Sequence, residues 1–175
     1  SAFNNGDAID AFEAGSTETA SPWYVPIEPW ISQDDDEAFG SAYNQAAVLD
    51  ARNVCPSGWH VSTHADWDAL AASFGGYMTL NINLASTGIS GDQSGYWNVS
   101  ISNENGTGLN VHPAGAVNPF TGSNPSGNEA IFALNDGRYL WGFQYSADMS
   151  MVLYDFEAAG QNPNELGTAI RCVKN

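Results

Sequence analysis

The chain has 175 residues, with 4 Lys+Arg against 20 Asp+Glu and a formal net charge of −16. A field of that sign repels phosphate backbones and anionic lipid, and no apolar run is long enough to span a bilayer, so nucleic acid and direct membrane insertion are excluded as modes of action. The length suits one domain of ordinary size, and 43% hydrophobic residues with six Trp exclude a disordered polymer.

Residues 1–35 read as an extended N-terminal arm, punctuated by Gly6, Gly15, Pro22, Pro26 and Pro29. Within it Trp23, Tyr24 and Trp30 are too bulky for a solvated linker. The arm therefore packs on its own domain or docks on a neighbouring copy. The domain proper is expected over residues 36–175. An acidic run, Asp34 to Glu37, precedes a helical pattern, and acidic groups favour a helix N-terminus. Phe39, Tyr43, Ala46, Ala47 and Asp50 recur at three- and four-residue steps, which predicts a first helix over Asp36 to Arg52.

A second helix is predicted to start near Thr63. Ser62 and Thr63 are N-cap residues, Asp66 follows in the first turn, and Trp67, Leu70, Ala71 and Phe74 form the apolar stripe. Gly75-Gly76 stops it. From Tyr77 to Glu129 the chain is rich in Gly, Asn and Ser, a long irregular loop region. Strands are then predicted at Ile131–Leu134, Tyr139–Tyr145, Met151–Phe156 and Ala169–Val173. Two helices, a long irregular middle and an antiparallel meander make an α+β domain.

The two cysteines, Cys55 and Cys172, form one bridge or remain two buried thiols on this reading. Enzyme signatures are missing. His60, His64 and His112 stand in no metalloprotease spacing, and neither a nucleophile elbow nor a P-loop occurs. His60 between Trp59 and Val61 reads as a satisfied structural histidine. The expectation is a protein that is not an enzyme.

The stretch Gly40 to Gly76 carries Cys55-Pro56-Ser57-Gly58-Trp59-His60-Val61, and the chain closes on Gly167-Thr168-Ala169-Ile170-Arg171-Cys172-Val173-Lys174-Asn175. Both segments resemble the Fibrobacter succinogenes major paralogous (FISUMP) family. Ser62 stands where that family usually has Pro. Asn105-Gly106-Thr107-Gly108-Leu109 and Pro113-Ala114-Gly115 are similar more loosely. The resemblance covers residues 40–175. It implies a C-type-lectin-like fold with a small twisted antiparallel sheet. It also implies that Cys55 pairs with Cys172. Calcium-dependent lectins of that fold suggest metal candidates at Asn135, Asp136 and Glu129. Asn135-Asp136-Gly137 is equally an ordinary hairpin turn. No other cofactor is expected.

Tyr139, Trp141, Phe143 and Tyr145 alternate along one predicted strand. Ligand-binding candidates are Tyr139, Trp141 and Tyr145, with Tyr154 on the next strand and Tyr96 and Trp97 in the loop region. Aromatics in loops and on sheets dominate recognition surfaces. The expected function is an extracellular, cell-surface or virion-surface recognition or adhesion module binding a glycan or protein ligand. The alternative is a structural subunit of a filament, pilus or phage virion. Its arm residues Trp23, Tyr24 and Trp30 would dock on a neighbouring copy or another virion or filament protein.

Overall fold

The structure, a computed structural model, describes residues 1–13, 20–26, 40–77, 79–80, 107–109, 111–120, 129–145, 148–154 and 162–175. In chain order the elements are β1 (Asp10–Ala11), β2 (Trp23–Pro26), β3 (Ser41–Tyr43), α1 (Gln45–Val48), β4 (Trp59–Val61), α2 (His64–Ser73), β5 (Ala116–Val117), β6 (Glu129–Ala133), β7 (Tyr139–Tyr145), β8 (Asp148–Tyr154), β9 (Gly167–Thr168) and β10 (Cys172–Lys174). A 3-10 turn at Pro163–Glu165 precedes β9. This is the α+β class that the sequence pattern predicts.

α2 begins where its cap chemistry dictates. The Thr63 hydroxyl accepts from the Asp66 backbone N–H, and the Asp66 carboxylate accepts from the Thr63 N–H at 2.8 Å, a reciprocal capping box. The helix ends at Ser73, and Gly75 and Gly76 follow with φ of +84° and +112°, conformations that glycine takes without a Cβ penalty. Its inner face presents Trp67 and Ala71 to Leu80, Val111, Ala130, Phe132 and Leu134. Trp67 stacks on Phe132 with ring centroids 5.6 Å apart, and its indole N–H donates to the Ser62 hydroxyl at 3.0 Å. Burying the Trp thus leaves no orphaned donor.

β6, β7 and β8 form an antiparallel meander, with Ile131 opposite Trp141 and Trp141 opposite Val152. β6 is covered on both faces. Ala130 and Phe132 pack toward α2, while Ile131 and Ala133 join Val48, Cys55, Val61 and Tyr139 in a second core cluster. A strand sandwiched in this way reads as a continuous apolar run rather than as strict alternation.

Cys55 and Cys172 are disulfide-bonded, with their Cα atoms 5.8 Å apart and 117 residues apart in sequence. The bridge ties the segment before β4 to the start of β10. The same two strands pair antiparallel, Cys172 opposite Val61 and Lys174 opposite Trp59.

Three predicted elements change. The helix expected over Asp36 to Arg52 is replaced, in its described part, by β3, a cap and the single turn of α1. Ala42 is fully buried between neighbouring strands, and Asn44 stops any helix from running through. The Asn44 side chain accepts from the Ala47 N–H and the Trp23 N–H, both at 3.0 Å, and donates to the Ser21 carbonyl. The acidic run Asp34 to Glu37 lies outside the described residues. The strand expected over Ala169–Val173 is divided: β9 pairs with β3 and β5, Ala169 bridges Phe132, and β10 pairs with β4. β8 starts at Asp148, ahead of its predicted start at Met151.

The N-terminal residues are integrated with the rest. β1 and β2 belong to a five-stranded sheet in the order β1-β2-β3-β9-β5, so strands before the expected boundary at residue 35 hydrogen-bond to strands after it. Phe3 and Ile9 are buried against Ala47, and the Arg52 guanidinium sits 4.0 Å above the Phe3 ring.

Candidate functional site

α2, β10 and the described residues 107–109 of the central loop region enclose a half-open groove of about 480 Å³. Its floor comes from Trp67, Ala69 and Leu70 of α2, and its walls from Thr107 and Leu109 on one side and Arg171 to Val173 on the other. Among the described residues the lining is chiefly apolar, with Asp66 and Arg171 as its charged members. A second cleft of about 470 Å³ lies along β1 and β2, between Asp10–Glu13 and Ser21–Trp23. No titratable groups converge there beyond Asp10 and Glu13 among the described residues.

Each polar member of the groove has an identifiable environment. Asp66 is held by its capping box, and its carboxylate also lies 3.2 Å from His60 Nε2. Burial raises its pKa, but the Thr63 side chain, the Thr63 N–H and His60 outweigh that and leave it below the usual carboxylate value. Arg171 is partly buried. One of its terminal N–H groups donates to the Leu109 carbonyl at 2.6 Å, and the guanidinium lies 5.8 Å from the Phe132 ring centroid. Burial lowers its pKa, and among the described residues no carboxylate lies within ion-pair distance of it. An Arg stays protonated regardless, so the groove wall carries a standing positive charge.

β10 also contributes an open edge. The Arg171 carbonyl accepts from the Ser62 N–H, and the Asn175 N–H donates to the Gly58 carbonyl, so residues 171 and 175 aim their backbone at β4. In an antiparallel ladder alternate residues face opposite ways, so Val173 also faces β4. Cys172 and Lys174 therefore turn their N–H and C=O groups outward, and no strand pairs on that side among the described residues.

Behind the groove, His60 bridges two elements. Its Nδ1 lies 2.6 Å from Asn175 Oδ1 and its Nε2 lies 3.2 Å from Asp66 Oδ2. Both partners are oxygens, so only the imidazolium donates to both. Accordingly the Asn175 contact, then the Asp66 contact, raise the His60 pKa above its ordinary 6.5. A raised histidine pKa stabilises the fold fully below pH 6.5, and that contribution is lost as pH rises through the folded-state pKa. His112 works the opposite way. Burial, then the Arg171 charge, lower its pKa, so its penalty appears as pH falls below 6.5. The expected result is a decline in stability above pH 6.5 that His60→Gln removes. Urea titrations between pH 6 and 9 check it.

The sequence-derived candidates distribute as follows. Tyr139 is 1% exposed and belongs to the second core cluster, so it is a packing residue and not a ligand contact. Its hydroxyl donates to the Pro163 carbonyl at 3.3 Å, which is why a tyrosine is buried there without an unsatisfied group. Trp141 and Tyr145 lie on β7 and Tyr154 on β8, with Tyr154 opposite Tyr139 in the ladder. Tyr96, Trp97 and Trp30 lie outside the described residues. Trp23 is 4% exposed and is enclosed by its own chain. Its indole N–H donates to the Asn164 carbonyl, and its ring meets Phe12 at 5.4 Å. Tyr24 is half-buried, its ring 6.3 Å from that of Tyr43. Trp23 is thus a core residue of this chain and not an anchor for a neighbour.

The three calcium candidates do not converge. Asn135 and Asp136 form the β6–β7 turn, while Glu129 begins β6 at the far end of the strand. Asp136 uses one carboxylate oxygen on the Arg138 N–H and the other on the His64 N–H, which fastens the hairpin to the start of α2. Burial alone raises the Glu129 pKa. Among the described residues no three His, Cys, Asp or Glu side chains gather as a metal would require.

Arg171 is the member of the groove that sequence reading passed over. Its signal was present: one of only 4 basic residues, adjacent to the bridging Cys172 in the closing motif.

Comparison with curated proteins returns no match, and neither does comparison with solved structures. The sequence signature of the Fibrobacter succinogenes major domain matches residues 1–174, extending the resemblance through the N-terminal strands. With that match spanning nearly the whole fold, the chain belongs to the Fibrobacter succinogenes major domain family.

Proposed function

We propose that this chain is an extracellular recognition or adhesion module that binds a glycan or protein ligand on its surface and does not catalyse a reaction. The observation that carries the reading is the groove. It joins an apolar floor to an Arg171 charge that has no carboxylate partner among the described residues. Its walls are fixed by the Cys55–Cys172 bridge, which suits an oxidising extracellular setting. Pockets of this kind, apolar with a few placed polar groups, are where ligands are held.

We also infer a variant of the C-type-lectin-like fold. In support, α1 and α2 come before the meander, and the last strand returns to pair with the segment before α2. Of the alternating aromatic candidates, Tyr139 belongs to the core and drops out of the ligand face. The alternative, a filament, pilus or virion subunit docked through its arm, loses Trp23 as an anchor.

The test uses Ala69→Trp. Ala69 is an exposed α2 residue on the groove floor, so a Trp there fills the groove and spares the core. Wild-type and plugged protein are screened on a glycan array and against purified surface proteins. Binding that is lost on plugging, at unchanged melting temperature, supports the reading. Binding that survives it overturns the groove as the site.

A further inference from the structure

Arg171 is set apart from the other cations of this chain. With 20 acidic residues against 4 basic ones, a carboxylate partner is easy to find. Arg52 has two, Asp7 at 3.3 Å and Asp50 at 2.7 Å. Arg138 and Lys174 are exposed, where water solvates their charge. Arg171 is partly buried, yet among the described residues it has only the Leu109 carbonyl and the Phe132 ring face. Withdrawing a charge from water without an ion-pair partner is costly. A neutral long side chain could fill the same wall without that cost. The guanidinium keeps donors for a bidentate bond to a planar anion.

Three features narrow the anion and what bears it. The net charge of −16 repels polyanions at long range, which disfavours nucleic acid, sulfated glycan and clustered phosphate. A single carboxylate pays the least of that repulsion. Next, Trp67 and Leu70 on the groove floor and Leu109 on its wall offer apolar surface, which serves an apolar side chain better than a hydroxyl-covered sugar ring. Finally, the outer edge of β10 offers the backbone groups of Cys172 and Lys174 beside the same groove. An exposed strand edge beside a side-chain pocket is how proteins add an extended peptide as a further strand.

We propose that the groove receives an extended peptide segment of a partner protein. It adds along β10, places a carboxylate on Arg171 and lays an adjacent apolar side chain against Trp67, Leu70 and Leu109. This rests on the recognition reading and deepens it. The carboxylate belongs to the peptide's chain end or to an acidic side chain, which share the same chemistry at Arg171.

The experiment titrates full-length protein with three short acetylated peptides and follows backbone amide signals by NMR. One ends in leucine with a free carboxylate, the second is its C-terminal amide, and the third is an amidated peptide with one glutamate beside the leucine. Expected are shifts at Leu109, Arg171, Cys172 and Lys174, with at least tenfold weaker binding for the plain amide. Tighter binding of the first peptide assigns the chain end, and tighter binding of the third assigns the side chain. Arg171→Gln equalises all three, whereas Arg171→Lys keeps part of the preference and controls for folding. Equal affinity of charged and neutral peptides overturns the carboxylate assignment and leaves the groove reading standing. No shift with any peptide at millimolar concentration overturns the peptide proposal. The groove reading itself fails only if the Ala69→Trp plug leaves array binding intact.

Discussion

Replacing Cys55 and Cys172 together by alanine is expected to lower folding stability by about 4–5 kcal/mol. The magnitude follows from the loop that the bridge closes. The two cysteines are 117 residues apart, so the cross-link removes from the unfolded chain the great majority of conformations, those in which the two cysteines lie far apart. The native state also has reason to depend on it. β10 has only three residues and pairs with a three-residue β4, too short a ladder to hold the C-terminal segment by hydrogen bonds alone. Cys55 is itself fully buried among Val48, Val61, Ile131 and Tyr139, so the double variant also loses packing. For a chain of this length the loss corresponds to a melting point lower by roughly 10–20 °C. Thermal unfolding of the double variant checks this, and reduction of the wild type under native conditions should reproduce it. A melting point within a few degrees of wild type would show that the groove wall does not depend on the bridge.

Local chemistry made some elements legible and long-range partners concealed others. α2 was readable, its start placed near Thr63, because its signals are all within a few positions of one another: a Thr63–Asp66 capping box, an apolar stripe and a Gly pair. The β6–β8 meander was readable because apolar runs flank an Asn-Asp-Gly turn. The disulfide came from the resemblance, since spacing alone does not choose between a bridge and two thiols. The first helix failed for a nonlocal reason. Ala42 and Tyr43 form a strand because β2 and β9 lie on either side, and β9 is more than 120 residues away. The N-terminal strands were hidden similarly. β1 is two residues long and parallel to β2, which leaves almost no periodicity to detect.

The site shows the same division. The aromatic alternation of β7 correctly marked a strand, yet alternation is silent about which face is buried. Tyr139 is in the core because the Pro163 carbonyl satisfies its hydroxyl, a contact across 24 residues. Arg171 was visible as a residue and invisible as a site. Its meaning depends on what does not stand beside it, and only the assembled walls from α2 and residues 107–109 reveal that.

Trp23→Ala is expected to cost about 3–5 kcal/mol, as for other large aromatic truncations in a core. The reason is that Trp23 closes the five-stranded sheet against Phe12 and Phe120, with ring centroids at 5.4 and 6.4 Å. It also reaches the Asn164 carbonyl through its indole N–H, pinning the 3-10 turn that leads into β9. The fit is tight from the other side. A Cβ added at Gly167 would lie 3.0 Å from Trp23 Cζ3 and 3.1 Å from Ala42 Cβ, so Gly167→Ala must displace one of them and is destabilising too. The two substitutions act on one contact and should combine less than additively, because removing the indole frees the space that a Gly167 methyl needs. An arm that docks on a neighbouring copy predicts otherwise. There Trp23→Ala would leave monomer stability unchanged and weaken only concentration-dependent assembly. Urea unfolding of both single variants and the double variant, with sedimentation of each, separates the cases. A large, concentration-independent loss places Trp23 among the residues that make this a folded domain.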